Sequence, residues 1–335
     1  MEVTERILQN FNKVVLGKNV IDPFAGECKI AKWAVKAGAK NVSGFDVLPS
    51  VEGVKPADVF NNPPDYSDYD ILVTNPPFLA KNRSKGEYAK EFEKFGFDNL
   101  YKCFLASITR SGQIPEFICI VPVNFFCEGS DLIRQELFKR YSIEYAEFWN
   151  IPPFEESNQC VAIIHCIRQI KQTGQTFPMI IMPEGRPIQM ELLPGNGYLH
   201  GKEFFEEINK FSNFKDKFRF IKTDEGMDAP NTNIVVSLLD NGKWPGGLSY
   251  NEGDPIYCKP SVMSTFQITT KGIELDKETQ RIIVEEFNKV FNGFRQKYDS
   301  MFLANYMGPN QKIISRRFVN KLLRVIVLRN IYDLQ

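Results

Sequence analysis

Thr74-Asn75-Pro76-Pro77-Phe78 is the stretch whose residue types and order point most directly to chemistry. It follows the apolar run Ile71-Leu72-Val73, the pattern of a buried strand. Two consecutive prolines fix the backbone and remove two amide donors, leaving nearby carbonyls to face a cleft as acceptors. Asn75 adds a side-chain carbonyl next to the backbone carbonyl of Pro76. Acceptors side by side match the two hydrogens of a planar amino group, and Phe78 offers a face on which the ring bearing that amine stacks. An aromatic amine is a poor nucleophile because its lone pair is delocalised into the ring. Acceptors that favour a tetrahedral nitrogen return the lone pair to it without a strong base, so positioning and electrostatics carry the chemistry. Two related stretches are incomplete. Asn62-Pro63-Pro64-Asp65 lacks the preceding strand and the aromatic, and Ile151-Pro152-Pro153-Phe154 lacks the amide.

A second set of residues has the spacing of a nucleoside site. Ile21-Asp22-Pro23-Phe24-Ala25-Gly26-Glu27-Cys28 joins an apolar run to a helical pattern. Gly26 lets the backbone turn sharply and approach a ligand, and Asp22 stands at the carboxyl end of its strand, where open α/β sheets bind ligands. Asp46, twenty residues past Gly26, ends the next strand, where a carboxylate takes ribose hydroxyls. Ala57-Asp58-Val59-Phe60 places an acid beside an aromatic, which suits an adenine ring needing an acceptor for its amine and an apolar wall for its face.

The elements that must position these residues alternate. Strand patterns at 19–22, 42–46, 70–74 and 117–121 are interleaved with helical patterns at 29–37 and 100–110. This predicts an α/β fold with a doubly wound parallel sheet. The runs 145–149 and 160–168 are separated by too short a loop for a parallel crossover, so they are expected to pair antiparallel. Past Arg168 a polar break, 171–176, precedes a segment rich in Pro and Gly, which places a domain boundary near 170. The remainder, 171–335, reads as a mixed α+β domain with helices around 277–298 and 311–328.

With these motifs in this order, residues 1–170 resemble the amino-methylating class I DNA methyltransferases, in the group with the target recognition domain C-terminal, of restriction-modification or phage type. The resemblance implies a seven-stranded Rossmann-like sheet and S-adenosyl-L-methionine as cofactor. It also implies transfer of a methyl group to the exocyclic amine of adenine in DNA, the base being flipped out of the duplex. On that basis Asp22 and Gly26, with Pro23 and Phe24, line the methionine and ribose part of the cofactor. Asp46 holds the ribose, and Asp58 with Phe60 holds the adenine. Asn75, Pro76, Pro77 and Phe78 form the catalytic turn, and Phe154 resembles a second aromatic near the flipped base. The family's turn commonly has a second glycine where this chain has Cys28. A specific site in double-stranded DNA and a companion restriction enzyme are the partners implied. The loosely matching C-terminal stretch is amphipathic at Ile313, Ile314, Phe318, Leu322 and Val325, as in a helix packed on a core.

Other features bound this reading. Lys81, Arg83, Lys85 and Lys90 follow the catalytic turn and either grip a nucleic-acid backbone or form a solvated loop. Formal net charge is zero, but residues 293–329 carry eight basic side chains and one acid, an excess that suits phosphates or solvent. Seven cysteines without a CxxC pair read as reduced thiols, and two histidines give no ground for a metal site. His165 and Trp33 are expected in the core, and Arg134 in a structural role. No run reaches transmembrane length and the N-terminus has no apolar signal region, which implies a soluble, cytoplasmic protein. The chain has no Pro-Cys pair, which argues against methylation of the cytosine ring. Enzymes acting on guanine or adenine amines in RNA, or on protein glutamine, share the Asn-Pro-Pro-aromatic turn and stay open. So does an inactive cofactor-binding partner subunit.

Overall fold

The computed structural model describes residues 2–155, 157–169, 173–201, 206, 217–221, 231–243, 245–253, 265–271 and 273–332. Cys258, Lys171 and Gln172, used in the sequence reading, lie outside them. The chain forms two compact units, Met1–Phe125 with Gly129–Tyr198, and Phe126–Glu128 with Leu199–Gln335.

The first unit is built on strands β1 (Asn19–Asp22), β2 (Asn41–Asp46), β3 (Lys55–Pro56), β4 (Ile71–Thr74), β5 (Glu116–Pro122), β6 (Tyr141–Trp149), β7 (Val161–Arg168), β8 (Gln175–Met182) and β9 (Arg186–Leu192). Their order across the sheet is β3-β2-β1-β4-β5-β7-β6-β8-β9. Strands β3, β2, β1, β4 and β5 run parallel, so β1, β2 and β4 release Asp22, Asp46 and Asn75 at one edge. The strand β7 is antiparallel to both β5 and β6, as the short connection required.

The expected count of seven strands and the boundary near 170 need correction. The hairpin β8–β9 extends the sheet, with β8 parallel to β6, and the unit runs on to Tyr198. Polar and Pro/Gly-rich flanks hid an alternating strand in which Gln175, Phe177, Met179 and Ile181 are buried. Gln175 opens it in place of a ladder pair: its Oε1 accepts from the Ile143 amide at 2.7 Å and its Nε2 donates to the Tyr141 carbonyl at 2.9 Å.

One face of the sheet is covered by the helices Val3–Leu8 and Lys29–Lys36. There Ile7, Phe11, Val15, Trp33, Val73, Ile120 and Ile163 share one buried cluster, and Trp33 Nε1 donates to Asn12 Oδ1 at 2.8 Å. Ile163 lies in β7 between β5 and β6 and is wholly buried. Ile163→Ala is expected to cost about 2–5 kcal/mol of stability, read from the midpoint and slope of urea unfolding. A loss below about 1 kcal/mol would contradict its place in the core.

Among the described residues the second unit holds a four-stranded antiparallel sheet and a three-stranded one. The first has the order β10 (Lys217–Ile221), β14 (Thr265–Lys271), β11 (Ile234–Ser237), β13 (Gly247–Tyr250). The second has the order β12 (Leu239–Asp240), β16 (Gln311–Ile313), β15 (Asn305–Gly308). The helix Lys277–Lys297 is capped by Asp276, which accepts from the Thr279 amide at 2.8 Å. The last helix spans Arg316–Tyr332 and does not begin at Gln311 as expected. Residues 311–313 pair as a strand, and Ser315 Oγ accepts from the Phe318 amide at 3.0 Å, the arrangement of an N-cap. Ile314, Phe318, Leu322 and Val325 are buried in this unit's core, whereas Ile313, on β16, is exposed. The basic stretch is partly spent within the unit: Arg295 and Lys312 pair with Asp240, and Arg316 lies over the Phe266 ring at 3.9 Å.

Candidate active site

The turn after β1 is held by its own carboxylates. Asp22 is buried, and its Oδ1 accepts from the Phe24 amide at 3.1 Å and from Thr74 Oγ1 at 2.7 Å. Gly26 has φ of +46° with open space where a Cβ would stand, and its amide donates to Asp46 Oδ2 at 3.0 Å. Asp46 Oδ1 accepts from the Leu48 amide at 3.0 Å, so one carboxylate ties the first turn to the second. Cys28 adopts φ of +62°, the left-handed region that a side chain normally disfavours by about 1–2 kcal/mol. The thiol is half-buried, and burial, then the Asp22 charge, pushes its pKa up.

Beyond β3, Asp58 closes a tight turn. Its Oδ1 accepts from the Phe60 amide at 3.0 Å and the Asn61 amide at 3.2 Å, and its Oδ2 from Asn61 Nδ2 at 2.8 Å. Burial pushes this carboxyl up, but the Asn61 side chain and the two amides outweigh it, leaving Asp58 below the usual carboxylate range. Phe60 is buried, with its ring 6.1 Å from Phe24 and 6.0 Å from Phe95.

Strand β4, buried along its whole length, delivers Asn75 to the same edge. The Asn75 Oδ1 is buried and accepts no hydrogen bond. Pro76 is buried and Pro77 exposed. Phe78 is half-buried, 6.2 Å from Tyr101 in an edge-to-face arrangement, and packs against the cluster that also receives Phe154.

These turns enclose a cleft of about 330 Å³. Pro23, Phe24, Asp46, Asp58, Phe60, Asn75 and Pro77 all line it, so residues from four separate motifs converge. Asp22, Gly26, Pro76 and Phe78 are not in the lining: Asp22 and Gly26 hold the turn, and Phe78 lies on the apolar cluster. Lys81, Arg83 and Lys85 are exposed and stand outside the lining.

Sequence reasoning missed Val47, Tyr88, Glu91 and Leu100, which complete the lining. Tyr88 and Glu91 come from the excursion 80–99, whose Lys81, Arg83, Lys85 and Lys90 suggest a nucleic-acid grip or a solvated loop. Its ends are fastened by the Ala80–Asn99 bridge and by the Leu100 amide, which donates to the Leu79 carbonyl at 3.0 Å. Its helix Ala89–Phe95 leans on the cleft: Glu91 Oε1 accepts from Asn61 Nδ2 at 3.1 Å and Lys94 Nζ donates to the Phe60 carbonyl at 2.6 Å. The signal was Phe92 and Phe95, three apart and both buried, inside a stretch otherwise dominated by charge.

Elsewhere, Arg134 is wholly buried with its Nη1 donating to the Phe125 carbonyl, a structural role. His165 departs from the expected core position: it is half-buried, and its Nε2 lies 2.7 Å from Glu116 Oε1. A larger opening of about 510 Å³ in the second unit, lined by Glu286, Lys289 and Lys297 among others, contains none of the motif residues. Among the described residues no helix is long and apolar enough to cross a membrane.

No protein-family model and no curated protein matches the chain. Solved structures do. A modification subunit assigned to a type I restriction enzyme from Vibrio vulnificus YJ016 matches at 17% identity and a TM-score of 0.42, over 64% of this chain and 52% of that one. The methyltransferase subunit of a type I restriction-modification system from Streptococcus thermophilus matches at 15% identity and a TM-score of 0.40, over 62% and 50%. The type IIL restriction-modification enzyme MmeI, solved in complex with DNA, matches at 10% identity and a TM-score of 0.47, over 99% and 72%. The matches to the two type I subunits thus extend over about half the length of those proteins.

Proposed function

We propose that the chain is an S-adenosyl-L-methionine-dependent methyltransferase that modifies the exocyclic amine of adenine in DNA. The observation that carries the reading is the buried, unpartnered Asn75 Oδ1 at a cleft lined by acids and aromatics. A buried acceptor without a donor costs about 1–3 kcal/mol and calls for a ligand hydrogen.

The lining fits this cofactor. Asp46, Asp58 and Glu91 line the cleft, and among the described residues no Lys or Arg lines it. Such a surface repels phosphates and favours a nucleoside of net positive charge. In this reading Asp46 takes the ribose hydroxyls, and Asp58, held ionised by its three donors, accepts from the adenine amine beside Phe24 and Phe60. When bound, the cofactor supplies an electrophilic methyl group on a sulfonium.

The chain's own part is to hold the target nitrogen. Asn75 Oδ1 and the Pro76 carbonyl accept its two hydrogens and free its lone pair, while Phe78 and Phe154 stack the flipped base. The second unit serves as the target recognition domain, and Lys81, Arg83 and Lys85 contact the phosphates beside the flipped nucleotide. Phe78→Ala is expected to lower kcat/KM on duplex DNA by about tenfold or more through loss of stacking. Wild-type rates in that variant would remove Phe78 from the base pocket.

The deciding assay offers radiolabelled S-adenosyl-L-methionine with DNA, RNA and protein in parallel, followed by nucleoside and amino-acid analysis. Label on N6-methyladenine from DNA is the expected result. Label on an RNA base or on glutamine replaces the substrate, and no transfer to any of the three speaks for an inactive partner subunit.

A further inference from the structure

The Thr74 hydroxyl joins the cofactor end of the site to the catalytic turn. Thr74 is wholly buried, immediately precedes Asn75, and donates to Asp22 Oδ1 at 2.7 Å. The Phe24 amide donates to the same oxygen, while Asp22 Oδ2 is buried with no partner. The other titratable groups acting on Asp22 are Asp46 at the end of β2, Cys28 at the start of the helix Lys29–Lys36, and Cys119 on β5. None is a cation. Among the described residues, two neutral donors on one oxygen are what keeps this carboxylate charged.

We propose that Thr74 is a positioning residue: its hydroxyl holds Asp22 ionised for a cationic ligand, so that cofactor binding strengthens as pH rises, and anchors the strand end that bears Asn75. The inference rests on the S-adenosyl-L-methionine reading above. Burial raises the Asp22 carboxyl to about 7, and Asp46 adds to the rise, while Thr74 and the Phe24 amide oppose it. The ionised form prevails above that range and attracts positive charge, so affinity climbs through neutral pH and levels off above it. Without the hydroxyl the ionised form loses a donor and the carboxyl moves higher still.

The test is calorimetric titration of S-adenosyl-L-methionine from pH 6 to pH 9 into wild type, Thr74→Val, Thr74→Ser and Asp22→Asn, each checked for folding by thermal melting. Thr74→Val is expected to shift the rise in affinity upward by about one to two pH units, with about tenfold weaker binding at pH 7 that recovers toward pH 9. Thr74→Ser should superimpose on wild type, and Asp22→Asn should lose the slope. The cofactor's own ionisation is common to every curve and cancels in the comparison. A Thr74→Val profile that overlays wild type overturns the proposal, as does a wild-type slope in Asp22→Asn. Should Thr74→Val not fold, the serine and asparagine variants still decide. Absence of binding by the wild type would instead strike the cofactor reading itself.

Discussion

Asn75→Ala is expected to lower methyl transfer by about 10²- to 10³-fold or more while leaving affinity for S-adenosyl-L-methionine within about threefold of wild type. The side chain supplies a buried oxygen that no described residue satisfies, so its removal costs no hydrogen bond among them through that atom. The effect should therefore fall on the chemical step. Single-turnover transfer and calorimetric cofactor binding, measured on the same preparation, separate the two. Unchanged turnover would mean that the amide does not touch the target nitrogen. A parallel loss of cofactor affinity would mean that it serves the cleft and not the base.

Asp46→Ala should have the opposite signature: about 10²-fold weaker cofactor binding, with the rate of the loaded enzyme less affected. The carboxylate accepts from the Gly26 amide with one oxygen and from the Leu48 amide with the other, and it lines the cleft. Charge-assisted hydrogen bonds are worth about 1.5–3 kcal/mol, and their loss frees two turns that shape the pocket. Asp46→Asn retains one side-chain acceptor and should fall between the two. Equal affinities for all three proteins would take Asp46 out of the cofactor site.

The strand ends and the residues they release were legible because each local signal agreed with the next. An apolar run before Asp22, another before Asn75 and the Gly26 turn are short-range patterns that the parallel sheet preserves. The family resemblance implied one site for Pro23, Phe24, Asp58 and Phe60, and all four line one cleft. What escaped depends on tertiary contacts. Glu91 is an acid within a charged helix, and only the fastened excursion and the Asn61 amide bring it to the cleft. The strand β8 was obscured because Gln175, a polar residue, completes backbone pairing that apolar periodicity does not reveal. Residues 311–313 continue the apolar spacing of the last helix, yet pairing with β15 takes them into a strand.

Among the described residues no basic side chain lines the cleft, and on the proposed reading this bears on turnover as well as on capture. Asp46, Asp58 and Glu91 line it, and on the proposed reading their pull on the ligand would weaken once its sulfonium charge left with the methyl group. The same three residues would then hold a positively charged nucleoside more tightly than its neutral counterpart. On the proposed reading, exchange would follow from the difference in charge between the two nucleosides.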